Sequence, residues 1–358
     1  MLIPLTLTAN QPPARFYQGG EKIATFRDRA TTTEAAKATE TKLTKGQLSP
    51  ETASAASLNV PEDWVASVTC LAGDVRLGLT VLPDGRTLAD AIQSDPRGWL
   101  GANHVTAFGS DTKLLVKLLD AGQRLPVHVH PNTAFAQEHL ERSHGKAEAW
   151  YILQGGVIHL GLKENLHRST LERIVTTQAV EELLPLLHEI QVVAGDTVFV
   201  PAGTLHAIGE GVFLVELQEP EDLSILLEWR DFDLDGEKDG HLGLGFDLAL
   251  DAVDLRGGSL AAISSLITHN GVGSSIFTHS ADEFFELGRT LVNGTANLAP
   301  GFAVIIAIEG NAQLHSAGGH VTAIAEGATV VVPFDAGALR LIGEADILIA
   351  RPPRTGAS

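Results

Sequence analysis

Two histidines alternate with valines in the stretch LPVHVHP, residues 125–131. In an extended chain, side chains two apart point to the same side. His128 and His130 therefore face together, and Val127 and Val129 face the other way. Two imidazoles on one side could share a metal ion, or a half-buried pair could simply be satisfied by backbone carbonyls. The stretch alone leaves both readings open. A third histidine, His206, ends the stretch GDTVFVPAGTLH, residues 195–206. There Pro201 and Gly203 shape a Pro-x-Gly turn that can aim His206 back toward the end of the preceding strand. Glu148, in GKAEAWYIL, opens an apolar strand-like run. A carboxylate at such a place is costly to bury unless it is paired or bound to a cation. Three imidazoles and one carboxylate suit zinc, and also iron, manganese, cobalt or nickel.

The elements that must position these groups are mostly strands. Residues 1–30 read as a short strand and then an irregular stretch. Residues 31–58 are poor in large apolar side chains and read as a surface helix or a loosely ordered excursion. DWVASVTC and VRLGLTVL carry strand-like patterning, and residues 86–99 a short helix interrupted at Asp95-Pro96. KLLVKLLDAGQRLPVHVHP is two strand-like runs around a turn at Ala121-Gly122. Helical spacing follows over about 132–145, stopping at Gly145, and again over 164–190, with Ser169 or Thr170 as N-cap. Between and after them come strands. VVAGDTVFVPAG (192–203) and AIAEGATVVVPFDAG (323–337) share a glycine, a β run and a proline. The match supports an internal duplication of one β unit.

Bulk properties narrow the function. The chain of 358 residues suggests two domains, with 44% hydrophobic residues and 36 glycines. A net charge of −19 argues against nucleic acid or an anionic membrane as partner. Cys70 is the single cysteine, so no intrachain disulfide can form. The N-terminus lacks the basic start and apolar core of a signal peptide. No apolar run approaches membrane-spanning length. The expectation is a soluble cytoplasmic protein, monomer or homodimer, acting on a small molecule.

Together these pieces resemble the cupin β-barrels. The second cupin motif is met in full from Gly195 to His206, and Gly122 stands before the HxH as in the first. Glu148 lies 18 residues beyond His130, farther than in most cupins. A helical insert at that point is a feature of the class I mannose-6-phosphate isomerases. To these the chain is similar over nearly its whole length, through ARFYQGG, PEDWVAS, LLVKLLDAGQRLPVHVHP, GKAEAWYIL and VPAGTLHAIGEG. The resemblance implies a mainly β fold of two cupin-like barrels (jelly rolls). The first, residues 1–250, would be catalytic and carry the helical insertions. The second, 251–358, would be degenerate and metal-free, since VVVPFDAGALR has no histidine where His206 stands.

By position, the resemblance implies metal ligands at His128, His130, Glu148 and His206, with histidine at the first where relatives usually have glutamine. It implies Lys146 beside the substrate and Lys117 at a family lysine. The family's arginine slot is occupied by Leu226, with Arg230 four residues away as the substitute candidate. The implied activity is metal-dependent aldose–ketose isomerisation of mannose 6-phosphate or a related sugar through a cis-enediol, with zinc or another divalent metal. Glu216 is a candidate proton carrier. Two alternatives remain: a different metal-dependent cupin enzyme such as an iron oxygenase, and a non-catalytic sugar-binding or regulatory homologue.

Overall fold

The computed structural model describes residues 2–13, 15–38 and 60–355. Much of the 31–58 excursion, from residue 39 on, lies outside the described residues; its start continues the helix Glu21–Ala38. That helix takes the place of the irregular stretch expected before residue 30. It buries Ile23 and Phe26.

Three antiparallel sheets form the body of the protein. The first has the order Ile267–His269, Asp196–Val200, Glu148–Gln154, Phe213–Gln218, Leu115–Asp120, Glu62–Val65. The second has the order Ile225–Leu226, His128–Val129, His206–Ile208, Gly156–Leu162, Leu187–Val192. They face each other across a core of Trp150, Ile152, Ile158, Leu160, Val198 and Leu214. Side chains alternate along each strand, so every strand has a second face to bury. On the second sheet that face carries Val127, Val129, Ala207 and Ile225. It is covered by Leu171, Ile174, Val175 and Leu183 of the helical insertion. On the first sheet it carries Val116, Leu118, Ala149, Tyr151 and Val215, which pack in one core with Val304, Ile306, Val331 and Leu348 of the third sheet.

That third sheet runs Leu5–Leu7, Thr329–Val332, Ala303–Ser316, Leu339–Arg351, Glu286–Leu298, with Val321–Ala325 added on Ala303–Ser316. The turn–strand–proline unit seen twice in the sequence has the same local form in both places. Gly195 (φ 92°) precedes Asp196–Val200, and Gly327 (φ 83°) precedes Thr329–Val332. The copies part after the proline: the second turns into a short 3₁₀ helix, Phe334–Ala336, instead of a Pro-x-Gly turn. Strands are exchanged across position 250. Leu5–Leu7 joins the third sheet, while Ile267–His269 pairs with Asp196–Val200 in the first.

Several local expectations shift. VRLGLTVL forms no strand: Gly78 has a φ of 95°, Val75 and Val81 are exposed, and only an isolated bridge, Val81 to Thr87, forms. The pattern had alternation but no partner strand. The interruption at Asp95-Pro96 is found between Leu88–Ser94 and Pro96–Leu100. The first insertion is helical only over Thr133–His139, capped by the Asn132 side chain. Gly145 serves instead in a close chain crossing, where a Cβ would lie 2.6 Å from Pro131 O and Thr133 N. The second is split into Arg168–Thr177 and Val180–Leu183; its first cap residue is His167, not Ser169 or Thr170. Among the described residues, no helix is long and apolar enough to cross a membrane.

Candidate metal centre

His128 and His206 are direct cross-strand partners. Their rings lie 4.0 Å apart, and each is 4.9 Å from the ring of His130. The alternation that buries Val127 and Val129 against the insertion turns His128 and His130 into the barrel. The turn before His206 is fixed by Gly203, which has a φ of 86° and whose N–H donates to His130 O at 2.8 Å. A residue with a side chain is strained at such a φ, so the glycine lets the third histidine be tied to the strand carrying the second.

Each imidazole is oriented the same way. Nδ1 of His128 meets Pro126 O at 2.8 Å, Nδ1 of His130 meets Leu223 O at 2.7 Å, and Nδ1 of His206 meets Thr204 O at 2.8 Å. A carbonyl only accepts, so each Nδ1 carries the proton and each Nε2 presents a lone pair. This is the arrangement that orients metal-binding histidines. Glu148 brings its carboxylate to the same point, Oε2 3.0 Å from His130 Nε2 and Oε1 3.2 Å from His206 Nε2. Acceptors face acceptors there, and His206 Nε2, fully buried, has no hydrogen-bond partner. Among the described residues, the donors there are Trp150 Nε1, 3.1 Å from Glu148 Oε1, and the Lys146 ammonium. Lys146 Nζ lies 2.7 Å from His130 Nε2 and also bonds Glu148 Oε2. Burial, and then the Lys146 charge, hold the His130 imidazole down at about 3. Burial and the other two histidines hold His128 well below its usual range. Burial opposes ionisation of Glu148, yet Lys146 and His130 hold it well below the usual carboxylate range. Neutral imidazoles and an ionised carboxylate converging on one point form a donor set for a divalent cation. Among the described residues, His128, His130 and His206 are the histidine cluster that could hold one.

Beside this centre lies a narrow cleft lined by His128, Lys146, Glu148 and Glu216 among others. Glu216 pairs across the sheet with Lys117 on one side and Trp150 on the other. Its carboxyl is pushed up by burial and by the Glu148 charge, against the pull of Lys117. Its Oε1 is buried without a hydrogen-bond partner, 3.4 Å from Lys117 Nζ. Lys117 also lies 3.5 Å from Glu62 and over the Trp64 ring.

The structure thus brings together His128, His130, Glu148, His206, Lys146, Lys117 and Glu216. It does not bring Arg230 to them. Arg230 is 52% exposed and paired with Glu181 on the insertion, and is absent from the cleft lining. Leu226 is buried directly opposite His128. The cleft also contains Arg15, Tyr17, Glu62 and Asp222, none of them singled out from the sequence. Arg15 bonds Glu62 at 3.0 Å and Asp222 at 3.4 Å, and Tyr17 Oη donates to Glu62 at 2.7 Å. Arg15, Tyr17 and Glu62 lie in ARFYQGG and PEDWVAS, whose only mark in the sequence is the resemblance; that Glu62 and Asp63 are buried with their strand shows only in the fold.

No protein-family model matches the chain. Among curated proteins, it is 29% identical over 250 residues to the mannose-6-phosphate isomerase ManA of Bacillus subtilis, covering 68% of this chain and 76% of that one. It is 30% identical over 210 residues to the mannose-6-phosphate isomerase of Streptococcus mutans, covering 57% and 63%. Solved structures share the whole architecture. The mannose 6-phosphate isomerase of Bacillus subtilis superposes with a TM-score of 0.70 at 22% identity over 98% of this chain and 100% of that one. A phosphomannose isomerase variant from Salmonella typhimurium gives 0.69 at 13% over 99% and 100%. The two-barrel β fold with an insertion-bearing first barrel is the fold of those enzymes. In sequence the chain is similar to curated mannose-6-phosphate isomerases, and it shares the fold of the solved ones.

Proposed function

We propose that the chain is a metal-dependent aldose–ketose isomerase, with the metal held by His128, His130, His206 and Glu148. The observation that carries this reading is the convergence of three Nε2 lone pairs and one carboxylate, each imidazole locked by its Nδ1–H. Zinc is the first metal to test, with iron, manganese, cobalt and nickel compatible with the same donors. A divalent cation there supplies Lewis-acid stabilisation of the oxyanion that forms when a sugar carbonyl enolises.

The remaining work falls to the chain's own residues. Glu216 carries the proton between neighbouring sugar carbons: burial and the Glu148 charge raise its carboxyl, which suits a group that must take and return a proton. Its unpartnered Oε1 is the atom that does so. Lys117 holds that carboxyl in place from 3.4 Å. Lys146, released from the ligands when a cation binds, offers its ammonium to the developing oxyanion. Arg230, paired on the surface, has no part. The single cysteine, which leaves no intrachain disulfide to form, fits a cytoplasmic setting.

The test is metal analysis of the purified protein, followed by an anaerobic isomerase assay over aldoses, ketoses and their phosphates. About one equivalent of metal per chain, with interconversion abolished by a chelator and restored by metal, is the expected result. Bound iron with oxygen-dependent turnover, or sugar binding without turnover, would replace this reading with an oxygenase or a binding protein.

A further inference from the structure

We propose that this cleft selects a neutral sugar over a sugar phosphate. The inference rests on the isomerase reading of the same site and names its substrate class.

A phosphate monoester carries a charge of about −1.5 to −2 at pH 7 and is bound by cations free to face it. Three cations line the cleft among the described residues, and each is already engaged by carboxylate. Arg15 is held between Glu62 and Asp222, at 3.0 and 3.4 Å. Lys117 is held between Glu62 and Glu216, at 3.5 and 3.4 Å. Lys146 bonds Glu148. The three positive charges face four carboxylates, those of Glu62, Glu148, Glu216 and Asp222. A divalent ion at the histidines turns that balance slightly positive, but only at the reacting end of the sugar. A phosphate at the far end would approach Arg15 through the carboxylates that flank it.

The neighbouring positions do not make good the deficit. Leu226, paired with His128, offers only an apolar side chain. Arg230 is bonded to Glu181 on the outer surface. The chain's net charge of −19 adds a repulsive long-range field for a dianion. The same lining fits a polyol. Glu216 Oε1 is a buried acceptor without a donor. A sugar hydroxyl can donate to it.

The experiment uses the full chain loaded with zinc or manganese. The kcat/KM for D-mannose and a panel of other neutral aldoses is compared with that for their 6-phosphates at fixed ionic strength. Binding of mannitol and of mannitol 1-phosphate, which cannot isomerise, is measured by calorimetry. The expected result is at least about tenfold preference for one or more neutral sugars, and tighter binding of mannitol than of its phosphate. Equal or better turnover of the 6-phosphates, or tighter binding of mannitol 1-phosphate, overturns the inference. No turnover of any sugar, with mannitol still preferred, removes the isomerase reading and leaves the neutral-ligand cleft. Failure of mannitol to bind removes both. Asp222→Asn, which releases one side of Arg15, is expected to move the phosphate-to-neutral ratio about tenfold toward phosphate. An unchanged ratio would show that carboxylate pairing does not mute Arg15.

Discussion

Replacing His206 with leucine separates the cost of the proposed metal site from its benefit. His206 is completely buried, its Nε2 has no hydrogen-bond partner, and a Glu148 oxygen lies 3.2 Å from it. Leaving such a group unsatisfied costs about 1–3 kcal/mol. Leucine has a similar volume, so a large cavity is not created. The change also loses the bond to Thr204 O, worth about 1 kcal/mol. The metal-free variant should therefore be as stable as the parent, or more stable by up to about 2 kcal/mol. With metal the order reverses. At a free metal concentration 1,000 times Kd the parent gains about 4 kcal/mol, or about 8 °C in Tm at roughly 2 °C per kcal/mol for a chain of this size. The variant should gain none of it. Thermal melts of both proteins, with chelator and with zinc, decide the matter. A metal-free variant weakened by more than about 2 kcal/mol would show that His206 is satisfied by something other than a cation. A variant that keeps the full metal shift would remove His206 from the ligand set.

Two other perturbations test different groups. Glu216→Gln should lower kcat by about 10²–10⁴-fold with metal content unchanged, read by steady-state kinetics beside elemental analysis; unaltered kcat assigns the proton transfer elsewhere. His130, held at about 3 in the fold, binds its proton near pH 6.5 when unfolded. Its contribution is present above about pH 6.5 and is lost as pH falls toward 3, because there the unfolded chain holds the extra proton. Denaturant titrations of the metal-free protein should show stability falling over that window by up to about 1.4 kcal/mol per pH unit from this group. His130→Gln should flatten the slope by one proton, and an identical slope would mean that His130 does not titrate there.

The four residues of the proposed metal site could be picked out because each carries a local mark beside the resemblance. Alternation with valine marks His128 and His130, and the Pro-x-Gly turn marks His206. The isolated carboxylate at a strand start marks Glu148. The rest of the cleft is not local. Arg15 reaches Glu62 and Asp222, 47 and 207 residues away, and nothing near Arg15 reports either partner. Arg230 shows the converse error of distance. It stands four residues from Leu226, but the strand ends at Leu226; Leu227 and Glu228 remain buried, and by Arg230 the chain has reached the surface. VRLGLTVL failed for a related reason, since alternation describes a strand only where another backbone is present to pair with it. The repeated glycine–strand–proline unit marked a duplicated β unit and the resemblance implied the two-barrel fold, whereas the exchange of strands between the halves has no signature in either strand.

That exchange sets an order of events during synthesis. Leu5 pairs with Val331, a partner 326 residues later in the chain. At about 5–20 residues per second, the ribosome delivers that partner some 16–65 s after the first strand is made. For that interval Leu5–Leu7 has no ladder to join, while the strands of the first barrel have nearly all been supplied. Leu5–Leu7 is thus made long before it can dock. A fusion or tag that anchors it early would be felt in the yield of the finished C-terminal sheet rather than in the metal site.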